Sequence, residues 1–150
     1  MQMRIVSRHL QPHLTIMTLI QTPTFLHRIE ITPGDIDDMD HVNNAVYLRW
    51  VQEAVVHYWR QISSADAQQG LLWVALKHEI VYRMPLLLND EVDALVTATG
   101  TRGSRASFST NFRRGDDIAA EVQSSWCCID ANTRRPQRIA RDIVRQFLAV

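Results

Sequence analysis

From Tyr47 to Ile62 the apolar residues fall at helical spacing and reach most of the way round the helix. Tyr47, Val51, Ala54, Tyr58 and Ile62 recur at i+3 or i+4, and Trp50 and Val55 widen the stripe. Val56 and Trp59 intrude on the side that carries Arg49, Gln52, Glu53 and Arg60. A helix with so little polar surface has to be enclosed, and the rest of the chain has the pattern to enclose it. Phe25, His27, Ile29 and Ile31 alternate with Leu26, Arg28 and Glu30 until Pro33-Gly34. After a connecting loop over Ser63 to Gly70 the period is two again: Leu72 to Tyr82, Glu91 to Thr101, Ala106 to Phe112 and Ile118 to Ile129. Pro85 stops the first of these runs, and Asn89-Asp90 and the segments 102–105, 114–117 and 130–135 read as turns. Ile139 to Leu148 is a short amphipathic helix. Strand, long helix, then four strands on tight turns predict an α+β domain, with an antiparallel sheet wrapped around one helix.

Immediately before the long helix stands Asp35-Ile-Asp37-Asp-Met-Asp40-His41-Val-Asn43-Asn44-Ala-Val-Tyr47. Four carboxylates within six residues are too polar for a core. Asn43 or Asn44 is the expected N-cap, because a short side-chain oxygen accepts a free first-turn N–H. The backbone amides of Asn43, Asn44 and Ala45 would then lie beside the acids, joining unpaired donors to a base or nucleophile. An EF-hand calcium loop is the sharpest competing motif, but its third ligand would be Met39, its glycine Asp40 and its closing glutamate Val46. His27, His57 and His78 share no metal-ligand spacing, so no metal is expected.

The 16 Lys plus Arg balance 16 Asp plus Glu, which removes the broad positive footprint expected for nucleic-acid binding. From Thr101 onward nine arginines face five acids, a local excess suited to a small anionic ligand. Cys127 and Cys128 are adjacent and not spaced as a disulfide framework, which points to a reducing, cytoplasmic home. Residues 1–23 form an N-terminal arm outside the fold argument. Its apolar run Leu14 to Ile20 is broken by Thr15 and Thr18 and is too short for a membrane span. The domain is expected over 24–150.

The sequence Asp35-Ile-Asp37, a short turn, then His41-Val-Asn43-Asn44-Ala-Val-Tyr47 resembles the hotdog-fold acyl-CoA thioesterases, specifically the 4-hydroxybenzoyl-CoA and long-chain acyl-CoA thioesterase branch. Glu53, about two turns into the helix, also fits that pattern. The resemblance implies a hotdog fold and hydrolysis of an acyl-CoA without a cofactor. It implies a homodimer or homotetramer with sites across the subunit interface, and no nucleic-acid or membrane partner. Asp37 falls on the catalytic carboxylate, with His41, Asn44 and Glu53 as further site residues. Asn43, Asn44 and Ala45 would supply oxyanion donors. Tyr47 is a substrate contact as well as a core residue, and Arg83, Arg102 and Arg105 are candidates for the CoA phosphates, with Arg134, Arg135 and Arg138 behind them. Met39 replaces the asparagine of the plant-type acyl-carrier-protein enzymes, so their mechanism does not carry over. Asp40 stands where relatives often have glycine or another small or polar residue. A non-hydrolytic acyl-binding protein and a hotdog dehydratase remain the alternatives on the same fold.

Overall fold

The computed structural model describes residues 22–149. The expectation of an N-terminal arm over 1–23 therefore lies almost wholly outside the described residues. Five strands form one antiparallel sheet: β1 (Thr24–Ile29), β2 (Leu71–Tyr82), β3 (Val92–Arg102), β4 (Arg105–Arg114) and β5 (Asp117–Asp130). Their spatial order is β1-β3-β4-β5-β2, so β1 and β2 are the two edges. The long helix α1 (Val46–Ile62) connects these edges and lies in the concavity of the sheet. This is the expected α+β hotdog architecture.

The sheet encloses less of α1 than expected, because the face carrying Arg49, Gln52, Glu53, His57 and Arg60 stays exposed, and alternation in the strands explains the burial of the other face. Val92, Ala94, Val96 and Ala98 of β3, Ala106, Phe108 and Phe112 of β4, and Ala120, Val122 and Trp126 of β5 are all buried. They meet Tyr47, Trp50, Val51, Ala54, Val55, Tyr58 and Trp59 of α1 in one cluster. The four alanines on the sheet leave room for the tryptophans and tyrosines of the helix. Register shifts in β2, β3 and β5 each add a residue to one strand, which bends the sheet round the helix.

Local structure departs from expectation in three places. The segment expected to be loop contains a helix, α2 (Ala65–Gly70), because Ser64 Oγ accepts the Ala67 N–H and caps it. Along β2 the alternation does not run unbroken. Leu76 is an extra residue between the pairs Ala75–Trp126 and Lys77–Ser125, so Trp73 and Ala75 face α1 before the bulge and His78 and Ile80 after it. The last helix, α3 (Arg141–Leu148), starts two residues later than its periodicity suggested and closes one end of the core. Phe147 sits with its ring centroid 5.3 Å from Phe108, 5.4 Å from Tyr58 and 5.9 Å from Trp73.

Candidate active site

The acidic stretch folds as a tight hairpin at the mouth between α1 and the end of β2. Ile36 and Val42 bridge, the Asp37 N–H donates to the His41 carbonyl, and the Asp40 N–H donates to the Asp37 carbonyl. Asp40 turns the chain with φ +60°. Aspartate tolerates that left-handed conformation better than most residues, which is the physical reason this position suits glycine or a short polar side chain. The Val42 N–H donates to Leu86 O at 2.8 Å, which ties the hairpin to the segment after β2.

The four carboxylates have different fates. Asp38 and Asp40 are exposed. Asp35 is 1% exposed, accepts the Thr32 N–H at 2.9 Å and is paired with Arg49 of α1. Burial works against its charge, yet the Thr32 N–H and the Arg49 guanidinium outweigh it and hold the carboxyl below the usual range. Asp37 is half-buried. Its Oδ1 accepts Met39 N–H at 2.9 Å and His41 N–H at 3.4 Å, and among the described residues Oδ2 has no partner.

Asp37 lines a cleft of about 540 Å³ with Met39, His41, Asn43, Asn44, Tyr47, Tyr82, Arg83 and Met84. The volume suits a ligand pocket. Of the expected oxyanion donors only one is free. Asn43 N–H donates to Asp35 O at 2.8 Å and Ala45 N–H donates to Asn43 Oδ1 at 2.9 Å. Asn44 N–H alone of the three has no acceptor among the described residues. This corrects the expectation of three donors, while the expected asparagine cap is present: the helix starts at Val46, and Asn43 caps its first turn by accepting the Ala45 N–H. Tyr82 Oη donates to Asn44 O at 2.9 Å and so fixes the peptide next to that free amide. Replacing Asn43 by alanine is expected to cost about 1 kcal/mol of stability, read by denaturant unfolding, and to release the Ala45 N–H.

Other expected residues are distributed unequally. Tyr47 lines the cleft but is 2% exposed and packs on Trp50, Tyr82 and Phe112, and burial pushes its hydroxyl up to about 12. Arg83 lines the cleft while paired with Glu121 at 2.6 Å. Glu53 does not reach the cleft within one chain. It is 3.6 Å from Arg49 and borders a separate groove with His27 and His57. Arg102 and Arg105 end the β3–β4 hairpin, at the opposite end of the sheet. Arg105 lies seven residues along β4 from Phe112, which contacts Tyr47, and that spacing corresponds to roughly 23 Å. They do not join Asp37 within the subunit, because the strands run the length of the domain. The Asp35–Arg49 pair is the site feature that sequence reasoning missed. Neither thiol is a credible nucleophile: Cys127 and Cys128 are buried, and burial first and then Cys127 push the Cys128 thiol up to about 11.

Residues 31–147 match the model of the thioesterase-like superfamily. The chain belongs to that family. Thioester hydrolysis is therefore its class of reaction. The long-chain acyl-CoA thioesterase FadM of Escherichia coli K12 is 27% identical over 116 residues, covering 72% of this chain and 85% of FadM. A thioesterase of Thermus thermophilus, solved in complex with coenzyme A and Zn, superposes with a TM-score of 0.72 at 25% identity, over 84% of this chain and 92% of that one. Slr0204 of Synechocystis, a 1,4-dihydroxy-2-naphthoyl-CoA thioesterase, shares the fold with a TM-score of 0.71 at 15% identity, over 83% and 96% of the two chains. No helix among the described residues is long and apolar enough to cross a membrane.

Proposed function

We propose that this protein hydrolyses an acyl-CoA to the free acid and CoA in the Asp37 cleft. The observation that carries the proposal is the division of labour within one carboxylate: Oδ1 is held by two N–H groups of its own loop, and among the described residues Oδ2 has no partner, in a cleft whose lining also includes Asn44, whose N–H likewise has no acceptor among them. Asp37 acts either as general base on water or as nucleophile, giving a mixed anhydride that water then opens. Asn44 N–H stabilises the oxyanion, and a fixed donor of this kind is worth roughly 3 kcal/mol in the transition state. The thiolate leaves without a strong acid, so the proposed reaction uses no cofactor. His41, beside Asp37, orients the loop through its backbone.

The proposal includes a homodimer joined through β2. That edge strand is 12 residues long and leaves Leu72, Val74, Leu76 and Val81 exposed, an arrangement that favours pairing with another strand. Antiparallel pairing of two β2 edges about a two-fold axis sets the far-end arginines of one subunit, which lie level with the start of β2, toward the partner's cleft at the end of its β2. The free thiols fit a cytoplasmic location. Thiol release from a panel of short, long and aromatic acyl-CoAs tests the proposal. Turnover of at least one is expected. Tight binding without turnover of any, or dehydration of a β-hydroxyacyl-CoA in place of hydrolysis, would overturn it.

A further inference from the structure

Between β1 and α1 runs a groove of about 450 Å³, lined by His27, Arg28 and Glu30 on the strand side and by Arg49, Glu53 and His57 on the helix side. The two histidines are 30 residues apart in the chain. The fold brings them face to face, because His27 follows Phe25 on the face of β1 turned to the helix, where Phe25 stacks on Tyr58 with centroids 5.3 Å apart. Nδ1 of His27 lies 3.0 Å from Nδ1 of His57. The ring centroids are 4.4 Å apart at an interplanar angle of 68°, closer than an end-to-end N–H···N bond would set them. At least one of the two nitrogens therefore points off the line between them. Two nitrogens bound to one tetrahedral zinc at about 2.0–2.1 Å stand roughly 3.3 Å apart, so the pair is close to a chelating bite.

Glu53 stands one turn before His57, and both side chains leave the same face of α1. Its carboxylate is turned to Arg49 at 3.6 Å, and among the described residues no three metal-binding groups converge in these rotamers. That tie is replaceable. Both partners are about half exposed, and Arg49 keeps its closer partner Asp35 when Glu53 turns away. Arg28 is likewise held by Asp93, so neither cation bordering the groove is an uncompensated charge against a metal ion. Burial first and His57 second lower the His27 pKa from its ordinary value, with Glu53 opposing them. The His27 ring is thus neutral at pH 7, the form that coordinates a metal.

We infer that this groove binds a divalent transition-metal ion of the zinc class, held by Nδ1 of His27, Nδ1 of His57 and the carboxylate of Glu53, with water completing the coordination. Two imidazoles, one carboxylate and a water form a four-coordinate set that zinc accepts. Such an ion pins the edge strand β1 to α1. The lining of the groove shares no residue with that of the Asp37 cleft, so the site is testable apart from turnover.

Calorimetric titration of the untagged full chain with Zn²⁺ is the test. His9 and His13 are four residues apart, and both are replaced by glutamine in every protein titrated so that they supply no competing pair. This background protein is expected to bind one ion per chain. His57→Gln should bind at least about tenfold more weakly and Glu53→Gln about fivefold more weakly, while His41→Gln, altered in the Asp37 cleft, binds equally. Glu53 and His57 are exposed, and equal circular dichroism spectra without metal confirm intact folds. Zn²⁺ should raise Tm in the background protein and not in His57→Gln. Imidazole nitrogen NMR should show the Nδ1 signals of both His27 and His57 shifting with one equivalent of Zn²⁺. No binding by the background protein, or equal affinity in His57→Gln, overturns the inference, and unchanged affinity in Glu53→Gln overturns the assignment of the third donor.

Discussion

Replacing Arg49 by leucine is expected to lower stability by about 2 kcal/mol at neutral pH, or roughly 5 °C in Tm. Leucine retains much of the apolar stem and removes the charge, so the loss reports the electrostatics. Asp35 is nearly inaccessible, and without Arg49 its carboxylate keeps only the Thr32 N–H. Removing one partner of a fully buried pair costs more than this. Arg49 is half exposed, however, and water screens part of its contribution. The pH dependence gives the sign. In the wild type the folded pKa of Asp35 lies below its unfolded value, so the pair stabilises the fold above about pH 4, and that stabilisation is lost as pH falls through the folded pKa. In the variant, burial is opposed only by Thr32, so the pKa lies above that of the wild type. The melting curves of the two proteins should therefore lie furthest apart at neutral pH and converge in acid. A gap that stays constant with pH would show that the loss is one of packing.

The same pair shows what the sequence could and could not reveal. Four acids in a row read as equivalent, and their spacing singles out Asp37 only through the motif around it. What separates Asp35 from its neighbours is a backbone N–H at Thr32 and a guanidinium fourteen residues away on α1, and neither has a local signature. The seating of α1 in the sheet was legible because its apolar residues recur at helical spacing, although the face carrying Leu48, Arg49, Gln52, Glu53, His57, Arg60 and Gln61 stays exposed, and the strands were legible because their alternation is strict outside the bulges. The bulge at Leu76 was not, since Leu76 and Lys77 fit either register and only pairing with β5 decides between them. The helix start was half legible. Asparagine was correctly read as an acceptor for a first-turn amide, but its use by Asn43 consumes the Ala45 donor and leaves Asn44. Arg102 and Arg105 were grouped with the site by residue type. The length of the strands sets them at the other end of the domain.

Replacing Asp37 by asparagine is expected to reduce kcat about a thousandfold with little change in KM or Tm. Asparagine keeps an oxygen where Oδ1 accepts the Met39 and His41 N–H groups, so the hairpin retains its shape. What disappears is the negative charge on the second oxygen, which alone can take a proton from water or attack the carbonyl. The backbone donor at Asn44 is untouched, and it accounts for the residual rate.

Single-turnover thiol release, with enzyme in excess over the best acyl-CoA of the panel, isolates the chemical step from substrate binding and product release. The rate constant for Asp37→Asn should be at least a hundredfold below that of the wild type, with both proteins saturating over the same concentration range. Equal rate constants for the two proteins would contradict the assignment of hydrolysis to Asp37.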